Sequence, residues 1–154
     1  MVMLTDILTV MFKRDLLKLK AELSLYNHEE NLWRVDNNIS NATGNLCLHL
    51  LGNLNTYIGA VLGHTGYVRN RPEEFSRRNV PRVALLNELD RTIQMIDTVL
   101  ASITEAQLSD EYPDQVFDYK MTTEYFLVHL ATHLNYHLGQ VNYHRRLLDI
   151  DLHV

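Results

Sequence analysis

Four histidines recur at helical spacing toward the C-terminal end of this 154-residue chain: His129, His133, His137 and His144. His133 and His137 are four residues apart, so on a helix both rings leave one face about one turn apart and can converge on one ion. His129 precedes by another four, drifting about 40° round the helix. His144 follows His137 by seven and returns to nearly the same stripe. Inward positions of a helical bundle favour Leu and Ile, so this run requires a reason. An i,i+4 histidine pair without the Glu of an HExxH helix is as consistent with hydrogen-bonded core histidines as with ligands. His49 shifts the balance, because it sits in LCLHLLGNL, among the most apolar residues of the chain. An imidazole buried there without a partner costs about 1–3 kcal/mol. An ion shared with a facing helix offsets that cost.

Three neutral imidazoles with an open position form a catalytic zinc geometry, which nickel or another late divalent metal also accepts. With no carboxylate ligand, such a site keeps the full positive charge of its ion. It would bind a water or a thiol and lower its pKa. Asn53 lies four residues after His49 and Gln140 three after His137. Either can hydrogen-bond a metal-bound water, or sit as a polar helix-boundary residue. Cys47, two residues from His49, points away from it on a helix and reads as a small apolar packing residue. Tyr57, Tyr136 and Tyr143 read as core and rim residues.

The elements that must position these groups are helical. Leu4, Ile7, Leu8, Met11, Phe12, Leu16, Leu19 and Leu23 recur at three and four and predict a first amphipathic helix. Asn27 to Ser40 is polar and rich in turn formers, with Trp33 folding the connection back onto the core. A second helix is expected from Asn41–Thr43, capped by Ser40, Asn41 or Thr43, with Leu46, Leu50, Leu54, Ile58 and Val61 as its buried stripe. It should stop near Gly63 or Gly66. The longest connection follows, broken by Pro72 and Pro81, and connections of this length are commonly crossovers or functional loops. Pro81 suits the first turn of a third helix, whose apolar face is Val83, Leu86, Leu89, Ile93, Ile96 and Leu100. Ala101–Lys120 is a second connection with a short helical turn at Thr104–Leu108. The fourth helix is expected over Thr122–Leu148, capped by Thr122 or Thr123, with Glu124 in its first turn. The expected fold is an all-α four-helix bundle with a long connection between helices 2 and 3, as a single domain over 1–154.

Composition narrows the function classes. A formal net charge of -5 gives no general attraction to nucleic acid. The lone Cys47 excludes an internal disulfide and fits a reducing compartment. The N-terminus carries its charges after its apolar stretch, unlike a signal peptide, and no apolar run of about 18 residues exists to span a membrane. The expected location is cytoplasmic. Arg69, Arg71, Arg77, Arg78 and Arg82 cluster in the long connection with Glu73 and Glu74 between them, reading as a solvated loop or as a small docking site for an anionic ligand.

The segment THLNYHLGQ, His133 within it, resembles the terminal-helix motif of the DinB/YfiT-like family of metalloenzymes, and LHLLGNL around His49 is similar to that family's helix-two motif. The family's second terminal histidine is followed by an Arg-Gly-Gln-like tripeptide. Here Leu138 replaces that arginine, so no role of the arginine carries over. The resemblance implies a four-helix bundle holding one divalent metal, zinc or nickel, on His49, His133 and His137. It also implies a low-molecular-weight thiol such as bacillithiol or mycothiol as cosubstrate, S-transfer to a small electrophile, and a homodimer. Two other readings stay open on the residues alone. One is hydrolysis, with the same ligands activating water. The other is a non-catalytic metal-stabilised bundle or interaction module, in which His129 or His144 closes the fourth position.

Overall fold

Apolar side chains spaced three and four apart give each long segment one face to bury, and four such faces close on a common core. The computed structural model describes residues 3–36 and 38–150. Its long helices are α1 (Leu4–Ser24), α2 (Thr43–Leu54), α4 (Arg82–Ser102) and α6 (Thr123–Leu148), joined by the short helices α3 (Arg71–Ser76) and α5 (Glu105–Ser109). The chain is an all-α bundle. Its one extended pairing among the described residues is a β-bridge between Glu111 and Thr122. Met1, Val2 and Asn37, which enter the sequence reading, lie outside the described residues.

The long helices form a ring. α1 packs against α4 and α6, and α2 packs against α6 and α4. Phe12, Leu16, Leu50, Leu54, Leu89, Ile96, Phe126 and Leu130 fill the space between them. This order puts α2 beside α6, the neighbourhood that a site on His49, His133 and His137 requires. Polar ties set the register of the ring. Asn135 donates to the buried Asp15 (3.0 Å), Asn142 and Arg145 to Glu22 (2.7 and 2.6 Å), and Lys20 to Asp90 (2.7 Å).

Several ends follow the expected chemistry. Thr122 Oγ1 accepts from Tyr125 N–H at the start of α6, and Thr104 with Gln107 forms a reciprocal cap on α5. Others differ. The N-cap of α2 is Ala42, without a side-chain cap, because the hydroxyl of Thr43 is bonded to Tyr26 instead (2.7 Å). Val83, expected on the apolar face of the third helix, is 64% exposed, since it stands in the first turn before α4 meets the core. After Leu54 the second helix does not simply continue. Residues Asn55–Leu62 wind as a π-helix, closed where Gly63 N–H donates to Ile58 O. Such wide turns are rare and shift the faces presented beyond them.

Trp33 docks the first connection as the sequence implied, against Gly44 at the start of α2. A Cβ on Gly44 would stand 2.6 Å from the indole ring. The long second connection holds α3, with Pro72 in its first turn and Glu74 buried. Its arginines divide: Arg71, Arg77 and Arg78 are exposed, whereas Arg69 and Arg82 are partly buried. Arg82 donates to the Leu23 and Ser24 carbonyls that end α1 and to the Tyr26 carbonyl just beyond it, and Arg78 donates to Asn45 Oδ1 and to the Phe75 carbonyl. Asn45 in turn donates to the Glu74 and Arg77 carbonyls, fastening α3 onto α2.

Candidate metal centre

His49 leaves α2 toward α6, and His133 and His137 leave consecutive turns of α6 toward α2. Their Nε2 atoms converge: His133 Nε2 lies 3.3 Å from that of His49 and 3.1 Å from that of His137. Nitrogens about 2.0–2.1 Å from one tetrahedral ion stand about 3.3 Å apart, so the spacing matches one shared ion.

The outward nitrogens decide which way the lone pairs face. His49 Nδ1 lies 3.0 Å from Glu74 Oε2. A carboxylate can only accept, so Nδ1 carries the proton and Nε2 presents its lone pair inward. His137 Nδ1 lies 2.6 Å from Gln140 Oε1, which assigns the same tautomer by the same reasoning. Two inward lone pairs thus face the Nε2 of His133, which can donate to one of them at most. A cation at the centre satisfies all three. The donor set fits a late divalent metal, and among the described residues no further His, Cys, Asp or Glu joins the cluster.

Electrostatics agree with neutral imidazoles. Burial pushes the His133 ring down to about 4, helped by His137 and His49. Burial also lowers His49, partly opposed by its hydrogen bond to Glu74.

The profile of the DinB superfamily matches residues 25–141, a span that contains all three histidines. The chain belongs to the DinB superfamily. No curated protein matches it. Among solved structures, a crystal structure of a conserved protein of a locus from Enterococcus faecalis shares the DinB-type fold. It has a TM-score of 0.78 and 20% identity, over 96% of this chain and 98% of that one.

In this DinB-superfamily chain the long connection contributes a group that the histidine spacing did not reveal. Glu74 is 6% exposed, and Arg69 grips it through two bonds, Nε to Oε1 at 2.6 Å and Nη2 to Oε2 at 2.9 Å. The slot for this carboxylate exists because residue 52 is glycine; a Cβ there would overlap Glu74 Oε1. Arg69 also lies over the Tyr57 ring (5.8 Å). A mid-helix glycine, costing about 1 kcal/mol relative to alanine, was the signal in LLGNL that something approaches α2 closely.

The other expected residues have distinct places. Gln140 reaches the back of His137 rather than the inward side. Asn53 is buried on α2, and its Oδ1 has no hydrogen-bond partner. His129 stacks between Phe126 (5.8 Å) and His133 (6.2 Å), edge-on to Phe117 (5.0 Å), and stands outside the cluster. His144 is committed elsewhere: Nδ1 meets Tyr26 Oη at 2.7 Å and Nε2 donates to the Arg34 carbonyl at 2.8 Å. Leu138, at the position of the family arginine, is buried in the core. Cys47 is likewise buried, its thiol pushed up to about 12 by burial. Tyr136 and Tyr143 are exposed.

Proposed function

We propose that His49, His133 and His137 hold one divalent metal ion, zinc or nickel, at the centre of an enzyme that transfers a low-molecular-weight thiol of the bacillithiol type to a small electrophile. The observation that carries the metal assignment is the convergence of three imidazole nitrogens, two of them fixed lone pair inward by Glu74 and Gln140. The thiol rests on the family resemblance. The absence of a fourth protein ligand among the described residues favours an open site over a closed structural one. Here the ion supplies Lewis acidity, which lowers the pKa of a thiol or water at the open position.

The side chains of the chain then have defined tasks. Glu74 holds the His49 ring in one tautomer, and Arg69 holds Glu74. Gln140 does the same for His137. Phe75, 5.1 Å from the His49 ring, walls that side of the cluster with apolar surface. In the transfer, the thiol gives up its proton to solvent, its sulfur bonds the electrophilic carbon, and the leaving group departs with the bonding pair.

The test is elemental analysis of purified wild type and His133→Ala, followed by rate measurements with metal, thiol and a panel of electrophiles. Metal near one equivalent in wild type, its loss in the variant, and a rate requiring both metal and thiol are expected. A wild type that neither carries nor takes up metal defeats the assignment, and metal-dependent turnover without thiol makes the protein a hydrolase instead. The cytoplasmic location and the homodimer belong to the same proposal; molar mass in solution tests the dimer.

A further inference from the structure

Three lone pairs directed inward require three N–H groups directed outward. His49 gives its Nδ1 proton to Glu74 and His137 gives its own to Gln140. His133 Nδ1 is buried and has no partner. A second buried atom in the same situation is Asn53 Oδ1, an acceptor only. Asn53 is 7% exposed and stands one turn beyond His49 on α2, which packs along α6 where His133 stands. Asp97 Oδ1, also unpartnered and buried, belongs to a carboxylate on α4 whose other oxygen faces Lys13.

We infer that Asn53 is the positioning residue of the third histidine: its side-chain oxygen accepts the Nδ1 proton of His133, directly or across one buried water, when the centre is loaded. This rests on the metal reading above. Each of the three rings then has one oxygen behind it, from Glu74, Gln140 and Asn53. The two atoms are chemically complementary. With the inward nitrogen of His133 engaged, its Nδ1 must be a donor, and the amide oxygen can only accept. A buried amide oxygen without a partner is costly to keep, and an apolar residue of similar size would suit the metal-free fold at least as well. Acceptors behind metal-binding histidines hold ring orientation and basicity, and their loss weakens metal binding by roughly 10–100-fold.

The test is zinc titration against a competing chelator, with thermal melts with and without zinc, on the full chain and on Asn53→Leu, Asn53→Asp and His133→Ala. Asn53→Leu should bind zinc roughly 10–100-fold more weakly, while its metal-free melting temperature stays unchanged or rises. Asn53→Asp, which keeps an acceptor, should stay within a few-fold of wild type. Should leucine not pack, Asn53→Ala repeats the comparison with a shorter side chain that also lacks an acceptor. Wild-type zinc affinity in the folded leucine or alanine variant would overturn the role of Asn53 while leaving the metal site intact. A metal-free melting temperature that falls in Asn53→Leu without weaker zinc binding would make the residue purely structural. Failure of wild type itself to bind zinc, unlike either result, would remove the metal reading and this inference with it.

Discussion

At the scale of single residues, the histidine cluster is backed by a carboxylate that no histidine pattern announces. Glu74 is gripped by Arg69 on one side and set against His49 on the other, in a slot that only glycine at position 52 leaves open. Glu74→Gln leaves one acceptor oxygen where Arg69 and His49 together use two, and removes the charge that Arg69 holds. It should weaken zinc binding by roughly 10-fold or more, read by chelator competition. Gly52→Ala should do the same without altering any polar group, because the added methyl displaces the carboxylate. Wild-type affinity in Gly52→Ala would show that Glu74 does not act on His49. The three histidines themselves were legible: His133 and His137 from their spacing, His49 from its apolar surroundings. Glu74 was not. It lies 25 residues from His49, and its direction depends on α3 docking against α2 through Asn45.

At the scale of elements, glycine–aromatic contact fixes how the first connection closes onto the bundle. Gly44 lets the Trp33 ring lie flat against the first turn of α2. Gly44→Ala should therefore destabilise the protein by about 1–3 kcal/mol, the usual cost of overpacking a filled site. Thermal unfolding measures it as a fall of about 2–4 °C per kcal/mol for a chain of this size; an unchanged melting temperature would mean that the ring moves aside freely. Periodicity located all four long helices, and breakers located their connections. It did not reveal the π-wound Asn55–Leu62 segment, because its residues are as apolar as those of the α-helix before it. The arginine-rich connection also reads differently in three dimensions. Arg82 bonds carbonyls at and just beyond the end of α1, more than 50 positions away, and Arg69 grips Glu74, a carboxylate that is buried only because α3 docks on α2.

At the scale of the molecule, buried histidines couple stability to pH. Burial lowers His144, His49 and His133 below the ordinary histidine value. Groups lowered in this way bind protons more readily in the unfolded chain, so acid favours unfolding. Stability of the metal-free protein is fully present above the unfolded value of about 6.5 and declines as pH falls below it. The denaturant midpoint should be lower at pH 5 than at pH 7.5, and an equal or higher midpoint at pH 5 would contradict it. Zinc should raise the melting temperature of wild type at pH 7.5 by mass action, and this rise should vanish in His133→Ala. Among the described residues no helix is long and apolar enough to cross a membrane, which agrees with the amphipathic pattern throughout.

The sequence by itself determined the helical class, the four long helices and the histidines on facing stripes. These follow from local geometry, since 3.6 residues per turn converts spacing into faces. Only the tertiary structure decided that α2 lies beside α6, that His129 and His144 stand outside the cluster, and that Glu74 and Gln140 set the tautomers of two rings. His144 has the same residue type and nearly the same stripe as His137. What separates them is who stands opposite: Tyr26 and Arg34 for one, His49 for the other. Such pairings join residues up to 118 positions apart. They are set by how whole faces pack, and no local period encodes that.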